Sequence, residues 1–324
     1  MPHKPVVKQS ADASAKPQPL ESSINECMHT GPPLQPLLWD ILVWCRVAPY
    51  LLLGDIGKAF LQISLHEEDR NAFRFLFNLK GKEEHFRFTR VPFGVEANPF
   101  LLGEQQCNTT MISSQRKWKR RWRHFKENTY VDNLMKTGSQ IEDLERFKEE
   151  ATHILESAKF PVHKGESNVI ALESENMQNP GKILGHTWNK INDTLVIQVP
   201  QTKEETVLTK KVILSQLGRI YDPLGIISPT LVEGKRIYAR DEGKGWNSEV
   251  SVALTRDWNK WANQLQDVPI PRSLATPGTE TKAIDLHLFV DGSAKACSTV
   301  AFALLEQEST STKGSQEYPS EVQP

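Results

Sequence analysis

Thr129-Tyr130-Val131-Asp132-Asn133-Leu134-Met135 is the stretch that decides the fold of this 324-residue chain. Apolar residues lie on both sides of Asp132-Asn133, and Asp and Asn tolerate the positive φ that a two-residue hairpin turn demands. We therefore predict a very short β-hairpin with its turn at Asp132-Asn133, which places a carboxylate beyond the end of the sheet. A single aspartate in such a position is usually ordinary turn chemistry.

A second apolar stretch, further upstream, also ends in an aspartate. Leu51-Leu52-Leu53-Gly54-Asp55-Ile56 is typical of a buried strand, and an aromatic residue, Phe60, follows five positions after Asp55. Carboxylates from two neighbouring strands can hold the paired Mg²⁺ ions that clamp the attacking and leaving oxygens of a phosphoryl transfer. The two aspartates together therefore favour a metal-dependent catalytic site.

Three motifs follow one another along the chain: Asp-x4-Phe at 55–60, Val-Pro-Phe-Gly at 91–94 and Tyr-Val-Asp at 130–132. In this order they resemble motifs A, B and C of reverse transcriptases. The resemblance is closest to the BEL/Pao group of long-terminal-repeat retrotransposons, because the runs at 86–94 and 221–229 are similar to runs of that group. It covers nearly the whole chain.

The resemblance implies an α+β fold, in which a reverse-transcriptase palm with truncated fingers precedes a thumb and connection and a fragment of a ribonuclease H-like fold. The implied domains are a disordered or disturbed fingers remnant over 1–21, fingers and palm over 22–170, primer grip, thumb and connection over 171–281, and a truncated ribonuclease H-like start with a polar tail over 282–324. The third region corresponds to the Pao "peptidase A17" region, although the chain contains no Asp-Thr-Gly or Asp-Ser-Gly.

The same resemblance assigns roles at the first site. Asp55 and Asp132 become the catalytic residues and the ligands of Mg²⁺, for which Mn²⁺ could substitute. Phe60 would lie under the incoming sugar and select deoxynucleotides, while Phe93-Gly94 would let the backbone approach the nascent base pair. Packing in the core is the alternative for both rings. Asn133 stands where the family commonly has a second Asp, and an uncharged amide should weaken metal affinity.

Two further segments resemble family elements near the primer and in a nuclease. Leu184, Gly185 and His186 match the turn of the primer-grip hairpin, although an exposed turn residue is the alternative for His186. Strand-like alternation from Ile284 ends at Asp291, which matches the first metal carboxylate of a ribonuclease H domain. The remaining acidic ligands have no place in the rest of the sequence, so we expect Asp291 to be vestigial.

Three departures from the family bear on activity. Much of the fingers that should precede motif A is absent, and Gly165 stands where the family has Trp, which predicts a packing hole. The run 116–123, Arg-Lys-Trp-Lys-Arg-Arg-Trp-Arg, has the composition of a nucleic-acid-binding segment. Alternatively, residues 104–125 are a frameshift product. Codons can be chosen for both ends of this segment such that reading them two bases later gives an amino-acid sequence similar to that of the family.

Periodicity predicts the remaining local structure. Helical spacing extends from Leu34 to Cys45, from Ile141 to Ala158, and from Thr209 to Asp241 with a break at 222–225. Alternating aromatics predict a hairpin around Gly81. Trp258 and Trp261 could stack bases, but core packing is the favoured interpretation.

Composition indicates the solubility and the cellular location that we expect for the protein. The net charge is −1, with 38% hydrophobic and 24% charged residues, as in ordinary soluble domains. The four cysteines lie far apart without metal-ligand spacing. The start of the chain lacks the apolar core of a signal peptide, and the apolar stretch at 37–56 is interrupted by charges. We therefore expect a soluble intracellular protein, cytoplasmic or nuclear, that is not secreted and has no membrane partner.

Two functions remain after these observations. The first is an RNA-directed DNA polymerase that uses an RNA or DNA template-primer and deoxynucleoside triphosphates, with activity reduced by the missing fingers. The second is a catalytically inactive remnant of a retroelement, or a fragment kept for binding nucleic acid.

Overall fold

The computed structural model describes residues 13–16, 20–112, 128–200, 207–240, 245–294 and 296–309. It divides into two compact units, one of Met1–Pro36, Leu52–Lys136 and Glu142–Gly165, the other of Leu37–Leu51, Thr137–Ile141 and Glu166–Pro324. The α-helices of the described part are α1 Ile24–Cys27, α2 Leu38–Trp44, α3 Asn98–Ile112, α4 Ile141–Ser157, α5 Lys210–Gly218, α6 Ser228–Ala239 and α7 Val252–Ala262. The strands are β1 Tyr50–Ile56, β2 Arg74–Leu79, β3 Lys82–Arg87, β4 Thr129–Tyr130, β5 Asn133–Gly138, β6 Val162–Ser167, β7 Gly181–Ile183, β8 His186–Asn189, β9 Thr194–Ile197, β10 Val268–Pro271, β11 Thr279–Gly292 and β12 Cys297–Ser309.

A four-stranded sheet in the order β4-β5-β1-β6 carries both predicted catalytic aspartates. Its strand β1 is almost fully buried at Leu51, Leu52 and Ile56 because these side chains are apolar. The helix predicted from Ile141 is confirmed as α4, and the five apolar residues of its predicted face are all buried. The apolar spacing of 3.6 residues therefore determined this element correctly.

The hairpin predicted around Gly81 is also confirmed. Strands β2 and β3 pair antiparallel, and both turn residues, Lys80 and Gly81, have positive φ as a type I′ turn requires. Phe75 of β2 stacks on Phe86 of β3 with a centroid distance of 5.7 Å. Cross-strand aromatic pairs of this kind fix the register of a short hairpin.

One prediction in the N-terminal part is wrong. Helix α2 begins at Leu38 rather than Leu34, because Gln35 precedes a proline, which disfavours helical backbone, and Leu37 is extended with ψ 141°. The segment 1–21, predicted to be a disordered or disturbed fingers remnant, is described only at 13–16 and 20–21, where Ala13 is 3% exposed and packs in a cluster with Phe73, Val95 and Ala97. Its small side chain fits this contact, and its carbonyl accepts a hydrogen bond from Asn25.

The helices of the second unit enclose a separate core. Helices α5 and α6 confirm the helical prediction with its break before Ser228. Trp258 and Trp261 are 1% and 8% exposed, and their indole nitrogens donate to Gln216 and to the carbonyl of Thr230. Satisfied and buried indoles are core residues, so the base-stacking alternative is wrong for both.

A buried arginine organises the start of β1 and the sheet β10-β9-β8-β7. The guanidinium of Arg272 is fully buried and pairs with Asp193 through two nitrogens. Its remaining N–H groups donate to the carbonyls of Cys45, Ala48 and Pro49. All five donors of the side chain are thereby used, which is the condition for burying a guanidinium without a large penalty.

The last described element is the long hairpin of β11 and β12. The strand predicted to end at Asp291 is confirmed as β11, and it pairs with β12. Asp291 pairs with Ser298 in the register, lies exposed, and accepts a hydrogen bond from the Gly292 nitrogen. In the part of the chain that the structure describes, no helix is long and apolar enough to cross a membrane.

Candidate active site

Asp55 and Asp132 lie on adjoining segments of the first sheet. Asp55 is the penultimate residue of β1, and Asp132 lies in the turn between β4 and β5. The nitrogen of Ile56 donates to the carbonyl oxygen of Asp132 at 2.8 Å, so the two backbones are in direct contact at this point. The structure therefore brings together the two carboxylates that the sequence singled out.

The turn that carries Asp132 differs from the prediction by one residue. Tyr130 pairs with Asn133, so the turn consists of Val131-Asp132 rather than Asp132-Asn133. Val131 has φ 55°, a left-handed conformation that is strained for a β-branched residue. Its nitrogen donates to Oε1 of Gln35 at 3.0 Å, which helps to hold the turn in this form. Of the two turn residues, only Val131 has positive φ, so the observed turn differs from the expected Asp-Asn turn in conformation as well as in register.

The electrostatics of the pair are those of an uncompensated site. Burial raises the pKa of Asp132, and the nearby charge of Asp55 raises it further. Among the described residues, no lysine or arginine forms an ion pair with either carboxylate, and no group of three His, Cys, Asp or Glu side chains is arranged as a metal site. Two hard oxygen donors without a countercharge fit divalent cations whose remaining ligands are substrate oxygens and water.

Asn133 contacts Asp132 directly. Its amide nitrogen donates to Oδ1 of Asp132 at 2.9 Å. The side chain expected to weaken metal binding through its missing charge therefore has a second property, because it fixes the orientation of the neighbouring carboxylate. Of the two oxygens of Asp132, Oδ1 accepts this bond.

The two phenylalanines predicted at the site are in contact but differ in exposure. The rings of Phe60 and Phe93 meet edge to face with centroids 5.4 Å apart. Phe60 is 8% exposed, as the core-packing alternative expects, whereas Phe93 is 47% exposed and is not a core residue. Gly94 has φ 90°, a backbone conformation that residues with a Cβ rarely adopt, so the turn itself also favours glycine at this position.

Three amide side chains that the sequence did not single out support these motifs. Asn25 donates to the carbonyl of Gly94 at 3.2 Å, and buried Asn98 donates to that of Pro92 at 2.7 Å. Gln35 holds Val131 as described above. Their partners are backbone atoms 6 to 96 residues away, and backbone atoms leave no signal in a sequence pattern.

The end of β6 supports the start of β1. Ser167 donates to the carbonyl of Leu51 at 2.7 Å, and the Asn168 side chain accepts from the Leu51 nitrogen at 3.0 Å. These two bonds hold the beginning of the strand that carries Asp55. Gly165 is buried, and the predicted packing hole beside it stays a prediction.

The hairpin predicted at Leu184 and Gly185 is present as β7 and β8 with these two residues as its turn, and its role as a primer grip stays a prediction. The exposed position considered for His186 is wrong, since this side chain is 2% exposed and packs against the ring of Tyr221 at 5.0 Å. Burial lowers the pKa of His186, against an opposing effect of Asp222. The exposed part of the turn is the backbone at Gly185.

Two predictions fall outside the described residues. The basic run 116–123 lies within 113–127, and so does most of the segment considered as a frameshift product. Asp291 lies on the β11–β12 hairpin, and in the described part of the chain it belongs to no group of three His, Cys, Asp or Glu side chains that could hold a metal ion.

A carboxylate pair on adjoining segments of one sheet, with aromatic residues beside it, is characteristic of enzymes that transfer phosphoryl groups with divalent metal ions. A family model described as reverse transcriptase (RNA-dependent DNA polymerase) matches residues 22–188, slightly more than half of the chain. The chain belongs to the reverse transcriptase family. A second model, described as Pao retrotransposon-like RNaseH-like domain, matches residues 209–315 and crosses the boundary that we predicted at 282. No curated protein matches the chain.

The two matches together identify a Pao-type retrotransposon RNA-directed DNA polymerase fragment with a ribonuclease H-like region. The family generally uses divalent metal ions and acts on nucleic acid template-primers with deoxynucleoside triphosphates.

Proposed function

We propose that Asp55 and Asp132 are the catalytic carboxylates of this polymerase, set in a palm that precedes thumb and connection segments. The observation that carries the proposal is the direct backbone contact between Ile56 and Asp132, which joins the two aspartate-bearing segments. The raised pKa of Asp132 supports it, because two close carboxylates without a countercharge are a costly arrangement that a bound cation relieves. We place this reaction inside the cell, where its nucleotide substrates are.

Each residue at this site has its own role. Asp55 and Asp132 supply the oxygens that hold Mg²⁺, or Mn²⁺ in its place, and Asn133 keeps Oδ1 of Asp132 in a fixed orientation. When bound, a pair of these cations lowers the pKa of the primer 3′-hydroxyl and neutralises the triphosphate. The hydrogen bond between the Val131 nitrogen and Gln35 helps to hold the turn that carries Asp132.

The substrates contact the residues around this pair. Phe60 limits the space under the incoming sugar, and its contact with Phe93 holds the ring edge in place. Exposed Phe93 and Gly94 face the nascent base pair, where the missing Cβ of glycine allows close approach. The Leu184-Gly185 turn, next to His186, receives the primer terminus.

Primer extension on an RNA template tests the proposal. The full chain is incubated with a DNA primer, deoxynucleotides and Mg²⁺, beside its Asp132→Ala form. We expect extension by the wild type and a rate at least about 100-fold lower for the variant, since losing a metal ligand removes several kcal/mol of stabilisation from the transition state. Asp143→Asn, an exposed aspartate on α4, is the matched control and should extend normally.

Two results would contradict the proposal. Equal extension by the wild type and Asp132→Ala would place the chemistry elsewhere. Tight binding of the template-primer without any extension in Mg²⁺ or Mn²⁺ would instead support a retroelement remnant that only binds nucleic acid.

A further inference from the structure

The turn between β7 and β8 is covered by a side chain from a distant part of the second unit. The hydroxyl of Tyr221 donates to the carbonyl oxygen of Leu184 at 2.9 Å. The ring lies so close to Gly185 that a Cβ at this position would be 2.9 Å from its Cε1 atom. Tyr221 therefore contacts both residues of the turn, one through a hydrogen bond and the other through its ring.

The turn itself has a conformation that needs such support. Leu184 has φ 45° and Gly185 has φ 99°, so both residues are left-handed. Glycine adopts this conformation without strain, whereas for leucine it costs roughly 1–2 kcal/mol. A contact that fixes the Leu184 carbonyl offsets part of this cost and keeps the turn in one form.

The same contact occupies one acceptor of the turn and leaves both of its N–H donors available. Tyr221 occupies the Leu184 carbonyl oxygen, while the nitrogens of Leu184 and Gly185 donate no hydrogen bond to any residue that the structure describes. Gly185 is exposed. Backbone N–H groups of this kind are a common way to bind the phosphate of a nucleic acid strand.

The ring of Tyr221 also packs against the buried side chain of His186. The imidazole is 2% exposed and packs on the tyrosine ring at an angle of 50°. Its Nε2 atom has no hydrogen-bond partner among the described residues. A buried nitrogen without a partner is costly, so the packing of the imidazole against the tyrosine ring offsets part of this cost.

The loop that carries Tyr221 is held by hydrogen bonds within itself. The carboxylate of Asp222 accepts hydrogen bonds from the nitrogens of Ile226 and Ile227 at 3.0 and 2.8 Å. The Gly225 nitrogen donates to the Asp222 carbonyl, and Gly225 has φ 74°. The sequence Tyr-Asp-Pro-Leu-Gly thus closes on itself and presents its first residue in a fixed place.

We propose that Tyr221 is the positioning residue of the primer-grip turn, and that it orients the Leu184 and Gly185 N–H groups toward the 3′-terminal phosphodiester of the primer. The loop from Tyr221 to Gly225 is the support that holds this tyrosine. The inference rests on the proposed function, because it takes the β7–β8 turn as the place where the primer ends.

Binding and extension by Tyr221→Phe test this inference in the full chain. The variant keeps the ring over Gly185 and His186 but loses the hydroxyl. We expect the KM for the template-primer and its Kd by fluorescence anisotropy to rise about three- to tenfold, the effect of one hydrogen bond. The KM for the deoxynucleotide should stay unchanged, and the melting temperature should fall by no more than about 4 °C, the effect of one lost hydrogen bond. Tyr238→Phe, a tyrosine of α6 that packs against the second core, is the matched control.

A modified primer gives a readout that a purely structural tyrosine would not move. A neutral methylphosphonate replaces the 3′-terminal phosphodiester, and both primers are measured with the wild type and Tyr221→Phe. We expect the methylphosphonate to weaken binding to the wild type by at least fivefold and to Tyr221→Phe by less than twofold, which is a coupling between the hydroxyl and the phosphate.

The outcomes separate the two proposals. Wild-type extension together with equal effects of the methylphosphonate on wild type and Tyr221→Phe would overturn the role of Tyr221 alone. If the wild type neither binds nor extends the template-primer, the proposed function is overturned and this inference with it.

Discussion

Replacing Arg272 tests how a buried ion pair supports the segment that leads into β1. The fully buried guanidinium pairs with Asp193 and donates to three backbone carbonyls just before β1. Arg272→Met leaves Asp193 without its cation and the three carbonyls without one donor each. Breaking a buried ion pair in this way costs about 3–5 kcal/mol. Arg272→Lys keeps the charge but has three donors in place of five, so at least two of the present bonds are lost at about 1.5–3 kcal/mol each.

Urea unfolding followed by tryptophan fluorescence measures this cost. Trp188 is fully buried and its indole nitrogen donates to Oδ1 of Asp193 at 2.9 Å, so it contributes to the summed signal of the eight tryptophans from within this cluster. With a slope of about 2 kcal/mol per molar urea, a loss of 3–5 kcal/mol lowers the midpoint by about 1.5–2.5 M. Arg256→Met, at a side chain 78% exposed, is the control and should leave the midpoint unchanged.

The double variant with Asp193→Asn separates the ion pair from packing. If the ion pair dominates, the two single variants together lose clearly more free energy of unfolding than the double variant loses. The reason is that Asp193→Asn removes the charge that Arg272→Met leaves unpaired. An Arg272→Lys variant within about 0.5 kcal/mol of the wild type would refute the reasoning, since the five-donor geometry would then contribute nothing.

The remaining predictions concern single side chains of the two candidate sites. Val131→Gly should be more stable than Val131→Ala by about 1 kcal/mol in urea unfolding, because only the alanine keeps a Cβ in the left-handed turn; equal stability would show that the turn is unstrained. Asp132→Asn should be more stable than the metal-free wild type at neutral pH. Because the pKa of Asp132 is raised in the folded state, the wild type loses stability as the pH rises through that pKa, so the difference should vanish in acid. A difference in unfolding free energy that does not depend on pH would contradict this. His186 has a lowered folded pKa, so wild-type stability should fall as pH drops below about 6.5, while His186→Phe should show a smaller slope in the same titration; equal slopes would exclude His186 as the cause. Phe60→Ala should cost about 3–5 kcal/mol in unfolding experiments, and Phe60→Leu, which keeps more of the packing, should accept ribonucleotides in primer extension if the ring selects the sugar.

Elements whose evidence is local could be predicted from the sequence. Helix α4 follows from the spacing of its apolar residues, and the β2–β3 hairpin follows from alternating phenylalanines around Gly81. The pairing of Asp55 with Asp132 followed from the order of three short motifs. In each case neighbouring residues favour the same structure as the whole fold does.

The features that were missed depend on partners far away in the chain. The turn register at Val131 is opposed by local propensity and is supported by Gln35, 96 residues before it. His186 is buried under Tyr221 and could not be placed without that contact. Arg272 donates mainly to backbone carbonyls more than 220 residues away, which any residue type supplies. Tertiary contacts of this kind override local pattern without leaving a signal in composition or periodicity.

Counting the metal ions at the carboxylate pair tests the central claim most directly. The full chain is titrated with Mn²⁺ in the presence of a template-primer and a non-hydrolysable deoxynucleotide analogue, and bound ions are measured by electron paramagnetic resonance. The account predicts two bound ions for the wild type and fewer for Asp55→Asn and for Asp132→Asn, with Asp143→Asn unchanged. Two ions bound equally well by both active-site variants would contradict the assignment of Asp55 and Asp132 as the metal-binding pair.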